Sequence, residues 1–528
     1  MIKAVDAKTV KAWLADTSEL AFLDVREHGQ YGDGHPFHST SVPFSRFEPE
    51  IVRLVPNINV RIVLFDAGDG VAQRAAAAAE TLGYRDVNVL DGGAAGWKAE
   101  GFTLFAGVNV PSKTFGELLE HKRHTPRISA EELQRLKTSG ERFVIVDGRP
   151  FSEYQKMNIP GGVCCPNGEL ALRIQEIVPD ASTKIIVNCA GRTRSIIGAE
   201  TLIALGLPNP VLALENGTQG WFLAGLELER GAGRRHSTTS PSSSALAERR
   251  RHVRRLAEPR GVRFAPAETV AGWLDDAMRT TFLIDVRTPE EFAAGSAPGF
   301  QHAPGGQLVQ ATDQWVGVMR ARIVLTDSDG IRAPMMAQWL AQLGHEVSVL
   351  EGGIAAGSGL PARAGTPAWS PIGPARISPD DLARRPAAQR PVVVDVRASF
   401  DTRKANIANS LWSIRPRLPR LASQVAGRDV VLVADRADTA ALAAGELTAA
   451  GARGVRWLDG PPATWQSAGL EVVATPGMPA DADCIDYLFF VHDRHEGNAE
   501  AARGYIAWEM GLVDQLDEAE RGVFRLAG

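Results

Sequence analysis

Four α/β units in tandem, each built on a parallel sheet, followed by a helical tail, are what this 528-residue sequence predicts. Three observations predict them. Asp-x-Arg closes a short apolar run four times, in "FLDVREHGQY" (22–31), "VIVDGRPFSEY" (144–154), "FLIDVRTPEEF" (282–292) and "VVVDVRASFDT" (392–402). A second apolar run follows each at nearly constant distance: Asp24 to Asp66, Asp147 to Cys189 and Asp285 to Asp327 span 42 positions, and Asp395 to Asp435 spans 40. A third signal closes each unit, in "LDGGAAGW" (90–97), "LENGTQGW" (214–221), "LEGGIAAG" (350–357) and "LDGPPATW" (458–465).

Short continuous apolar runs bounded by turn residues read as strands buried on both faces. Alanine- and leucine-rich stretches such as "AQRAAAAAETLGY" (72–84) lie between them, and strands alternating with helices imply parallel α/β units. The period of about 100 residues is too long for a solenoid, so the units are globular domains. Their expected bounds are 1–108, 125–232, 262–366 and 375–476. Residues 233–261 form a Ser- and Arg-rich linker, and 477–528 a tail whose Tyr505, Trp508, Leu512 and Leu516 share one helical face, expected to pack on a domain or a second subunit.

Composition narrows the class. The chain is 44% apolar and 23% charged, with net charge −5, which argues against general attraction to nucleic acid or membrane. No apolar run reaches the ~18 residues of a membrane span, and the opening residues do not read as a signal peptide. Four cysteines without CxxC spacing offer neither a disulfide framework nor a zinc site, so a cytoplasmic, reducing setting is expected, with no metal and no cofactor. Residues 229–260 hold nine Arg against three Glu and read either as a polyanion-binding arm or as a flexible segment entering a solvated basic helix; the absence of interleaved aromatics favours the helix. "HDRHE" (492–496) reads as a surface cluster, since HxxH without a third ligand is a weak metal signal.

The sharpest chemistry is in "KIIVNCAGRTRSIIGAETL" (184–202). A strand delivers Cys189 to a loop of Ala190, Gly191, Arg192, Thr193 and Arg194, and a helix follows. Small residues let successive amides curl into an anion nest. The helix adds its positive end. Two guanidinium groups in such a field are expected to hold Cys189 as a thiolate near neutral pH. The spacing is Cys-x4-Arg, one residue tighter than the Cys-x5-Arg cradle of cysteine phosphatases, and suits a terminal sulfur better than a phosphoryl group. The other loops carry Asp66, Asp327 and Asp435 where the thiol would be, so units one, three and four are expected to be silent. Asp147 and Arg149 recur in those silent units and are expected to hold the fold. Cys164 and Cys165 are read as buried filler.

These features together resemble a rhodanese (thiosulfate sulfurtransferase) repeated in tandem: the Asp-x-Arg strand end, "IPGG" (159–162), the six-residue Cys loop and Gly217 four residues before Trp221. The layout is similar to the tetra-domain rhodaneses of bacteria. The resemblance implies doubly wound domains and ping-pong transfer of sulfane sulfur, through a persulfide on Cys189, from a small anionic donor to a thiol or cyanide acceptor. It further implies that the amides of Ala190 through Arg194 hold the persulfide and that Arg192 and Arg194 hold the donor's sulfonate. Asn158 stands where the family has His, a position read as structural. A Cys-dependent phosphatase or arsenate reductase, and a scaffold with a redox-sensing thiol, are the rival readings; a homodimer stays open.

Overall fold

A computed structural model describes residues 2–239, 241–363, 365–386, 389–492 and 498–527, with Phe490 and His492 described by their backbone alone. The "HDRHE" cluster therefore lies outside the described side chains. Four five-stranded parallel sheets carry the chain. In the second unit the strands are Arg127–Ile128, Phe143–Asp147, Val163–Cys164, Lys184–Asn188 and Val211–Leu214, lying in the order first, fifth, fourth, second, third. The other three sheets have the same order, so the fourth strand is central in each. This places the loop after that strand at the carboxyl edge of the sheet, where open α/β sheets bind ligands.

The recurring Asp-x-Arg is a structural clamp. Arg149 bonds both oxygens of Asp147 and donates to Met157 O at 2.7 Å. Arg26, Arg287 and Arg397 do the same with Asp24, Asp285 and Asp395, each also reaching the carbonyl eight residues on, at Gly34, Gly295 and Ala405. Asn158 is structural too: its amide donates to Tyr154 O, as Asn406 does to Thr402 O, while His35 meets Tyr31 O through Nδ1.

Units two and three meet through matching positions. Gly168 and Gly306, each 21 residues beyond its unit's Asp-x-Arg aspartate, lie back to back, and a Cβ on Gly168 would come 2.8 Å from Gly306 N. Arg332, 1% exposed, reaches from unit three to Glu169 of unit two at 2.9 Å. Units one and four join through Arg415, which bonds Glu48 and Phe44 O.

The basic segment is a helix, Ser243–Ala257, solvated as expected along most of its arginines: Arg250, Arg251, Arg254 and Arg255 are exposed. Its inner face buries Val253 and Ala257, Arg249 bonds Gln175 and Glu176, and Arg250 donates to Asp329 O, so the helix bridges units two and three. The reading of the tail needs correction. In the tail, the helix Ala499–Met510 ends before Leu512 and Leu516, so the four apolar residues do not share one helix; Leu512 and Leu516 instead pack with Phe37, Phe105 and Val110 of the first unit and the connector after it.

Candidate active site

The buried strand Lys184–Asn188 hands Cys189 to a loop that enters the helix Thr193–Ala204. The loop is pinned from behind by the closing turn of the unit. Thr218 N donates to Cys189 O at 2.9 Å and Gln219 N to Ala190 O at 3.2 Å. Gly217 has φ +53°, and a Cβ there would lie 2.2 Å from Cys189 O, so no other residue fits. Gly93 and Gly353 press in the same way on the carbonyls of Asp66 and Asp327. With the Cys189 and Ala190 carbonyls held by that turn, the loop leaves the amides of Ala190, Gly191, Arg192, Thr193 and Arg194 without acceptors among the described residues, while Arg192 O faces Cys189 Sγ at 3.8 Å.

Cys189 is 2% exposed, yet it lines a cavity of about 260 Å³. A larger cavity, about 430 Å³, lies between units one and three beside His38 and His345, and the Cys loop takes no part in it. The expectation of a thiolate is corrected here. Burial pushes the Cys189 thiol above its ordinary range; Arg194 and then Ser195 pull it down, and the carboxylate of Glu509 pushes it up. Desolvation outweighs the cations because carboxylates already partner them.

Arg192 is the clearest case. Its guanidinium bonds both oxygens of Glu117, at 2.7 and 2.8 Å, and also Glu120. It braces the loop against the helix Val110–Arg123 and does not stand open to hold a sulfonate. Arg194 bonds Glu153 twice at 2.9 Å and Gln307 at 3.2 Å. Arg332 holds the matching place in unit three and pairs with Glu291 just as Arg194 does with Glu153. Residue 330 of that unit, opposite Arg192, is Gly, so the Arg192 brace belongs to the Cys loop.

In units one and three the matching loops are occupied by their own aspartates. Asp66 accepts from Gly68 N at 2.8 Å and Ala72 N at 2.9 Å; Asp327 accepts from Gly330, Ile331 and Ala333 N at 2.8, 3.1 and 2.8 Å. The shorter fourth loop leaves Asp435 exposed and forms no such cradle among the described residues.

Several cavity residues escaped the sequence reading. Lys113 and Asn109 come from the connector between units one and two, Gln307, Gln310 and Gln314 from unit three, and Tyr505 and Glu509 from the tail helix. Lys113 donates to Tyr505 Oη and lies over the Tyr505 and Trp508 rings at 4.6 and 5.0 Å. Glu509, 2% exposed, accepts from Thr193 Oγ1 at 2.6 Å. The only signal for this roof was the apolar face of the tail. Cys164 and Cys165 do not line the cavity, and burial pushes Cys164 up to about 12. Among the described residues no cluster of three or more His, Cys, Asp or Glu could hold a metal, and no helix is long and apolar enough to cross a membrane.

A single cysteine at the carboxyl end of a central parallel strand, backed by open amides and a helix N-terminus, defines an α/β protein with a cysteine-centred anion cradle. The family model of the rhodanese-like domain matches residues 6–100, 129–224 and 269–359, and the chain belongs to that family. A thiosulfate sulfurtransferase structure from Pseudomonas aeruginosa is 41% identical with a TM-score of 0.89, covering 99% of both chains. An HTH-type transcriptional regulator of Mycobacterium tuberculosis is 36% identical over 105 residues, which are 20% of this chain and 45% of that protein; the chain thus spans about half the length of this curated relative.

Proposed function

We propose that the chain is a sulfurtransferase enzyme that carries sulfane sulfur on Cys189, taking it from thiosulfate or a related persulfide and passing it to a thiol or to cyanide. The observation that carries this reading is the contrast between one Cys loop whose five amides, 190–194, lack acceptors among the described residues and two sister loops in which aspartates accept from the matching amides of Gly68 and Val71 in unit one and of Gly330, Ile331 and Arg332 in unit three. In the first half-reaction the Cys189 thiolate attacks the outer sulfur of thiosulfate. The Sγ–S bond forms as the S–S bond to the sulfonate breaks, and its electron pair leaves with sulfite. The persulfide anion settles on the amides of Ala190 through Arg194 and the helix N-terminus, where charge-assisted hydrogen bonds are strong. Arg194 supplies the cation that most favours the ionised sulfur.

The loop length disfavours one rival: a phosphatase of the Cys-x5-Arg kind wraps seven residues around its phosphate, and the loop from Cys189 to Arg194 has six. A redox-sensing thiol is separated by experiment, since it gains no sulfur from thiosulfate. The reading is tested by intact mass: thiosulfate adds one sulfur atom to the wild-type chain and none to Cys189→Ser. A gain that survives the substitution ends the proposal. The partners implied are small molecules, not nucleic acid or membrane, and the expected setting is cytoplasmic.

A further inference from the structure

Sulfur transfer accounts for Cys189 and the amide cradle but leaves buried polar atoms on three side chains nearby without hydrogen-bond partners among the described residues. Glu509 uses Oε1 to accept from Thr193, while Oε2, buried at the cavity wall, has no donor among the described residues. It lies over the loop: a Cβ on Gly191 would come 3.2 Å from it. Gln310, on the cavity wall supplied by unit three, has a buried side-chain oxygen that likewise lacks a donor. Gln219, 5% exposed and also against Gly191, has neither its side-chain nitrogen nor its oxygen paired.

Buried acceptors left without donors are costly and rare in folded proteins. Of these atoms, the two that face the cavity are both acceptors, one of them a carboxylate oxygen. The loop's own cations do not meet the need, since Arg192 and Arg194 are bonded to Glu117, Glu120 and Glu153. Lys113 is directed at Tyr505 and its neighbouring ring. What the cavity lacks is a cationic N–H donor of small size.

We propose that this corner is the subsite of the sulfur acceptor, and that the acceptor is a compact aminothiol whose ammonium group is bound by Glu509 and the Gln310 side-chain oxygen. This rests on the persulfide reading above. The ammonium anchors the molecule while its thiolate reaches the outer sulfur on Cys189. A new S–S bond forms between the acceptor sulfur and the sulfane sulfur; the Sγ–S bond breaks, and its electron pair returns to Cys189 as thiolate. The products are the acceptor persulfide and the free enzyme. A cavity of about 260 Å³ favours a small aminothiol over an extended peptide. Bound ammonium also offsets the Glu509 charge that opposes ionisation of Cys189.

The test loads Cys189 of the full chain with inorganic polysulfide, so that it does not depend on thiosulfate as donor, with Cys189→Ser as the loading control. Discharge is then timed by intact mass with cysteamine and with 2-mercaptoethanol at equal thiolate concentration. The two differ only in ammonium against hydroxyl. Wild type is expected to prefer cysteamine by about tenfold, the scale of one charge-assisted hydrogen bond. Glu509→Gln, which keeps the size of the side chain, abolishes that preference, and Glu509→Asp retains part of it. An unchanged ratio in Glu509→Gln, or equal slowing with both thiols, overturns the proposal, since Glu509 would then only position Thr193. Loading by polysulfide but not by thiosulfate would overturn the donor while leaving the ratio to decide the acceptor. No sulfur on Cys189 from either source overturns both.

Discussion

The Cys loop of unit two and the Asp loop of unit three start from the same strand end and enter the same helix, yet one is open and the other closed upon itself. In unit three, Asp327 takes three backbone amides. In unit two, a neutral thiol cannot do so, and the amides of residues 190–194 keep their hydrogen-bonding capacity for something that arrives from outside. A carboxylate at this position is thus a built-in ligand. The difference teaches that a carboxylate at this position satisfies the loop from within, where a thiol leaves its amides open.

The comparison is broken most directly by Cys189→Asp. Transfer of sulfur should fall by more than about ten-thousand-fold, as for loss of any nucleophile, while urea unfolding should shift by less than about 1 kcal/mol because the new carboxylate finds waiting amides. A loss of stability above that would show that the two loops are not equivalent. Next in size is Arg192→Ala, which leaves Glu117 buried without its ion pair; burial already pushes that carboxyl up to about 7. Removing one partner of a buried pair costs about 3–5 kcal/mol, measurable by denaturant unfolding. The unit-three counterpart is Asp327→Ala, which orphans the amides of Gly330 and Ala333 while Ile331 N keeps Asp329 Oδ1, and should cost about 2–3 kcal/mol. The smallest effect sharpens the electrostatics. Because burial raises the Cys189 pKa above its usual range, the thiolate fraction should climb about tenfold per pH unit between pH 7 and 9. The rate of iodoacetamide labelling at Cys189 should follow. A plateau by pH 7 would show a thiolate already formed in the free protein.

Much of the fold was legible because its signals are local. Apolar runs, Asp-x-Arg and the closing glycines repeat four times, and repetition in silent units separated structural residues such as Asp147 and Arg149 from chemical ones. The same logic, extended to Arg332 and Glu291, marks the Arg194–Glu153 pair as part of the scaffold, a comparison that needed coordinates to find the glutamate. The state of Cys189 was not legible. It depends on burial, on Arg194 and Ser195, and on Glu509, which meets the loop across a sequence separation of 316. No spacing rule reports such a partner. The contacts of the basic helix Ser243–Ala257 were hidden for the same reason: composition showed its arginines, and only the fold showed Gln175, Glu176 and Asp329 O bonded to Arg249 and Arg250.

The roof over Cys189 also sets a timetable. Thr193 meets Glu509 across 316 residues, so a nascent chain can complete the sheet around the cysteine long before the glutamate has left the ribosome. During that interval the sulfur has its cradle but no cover. The working enclosure is finished only when the distant helix docks, which makes maturation of the enzyme a late event in biosynthesis.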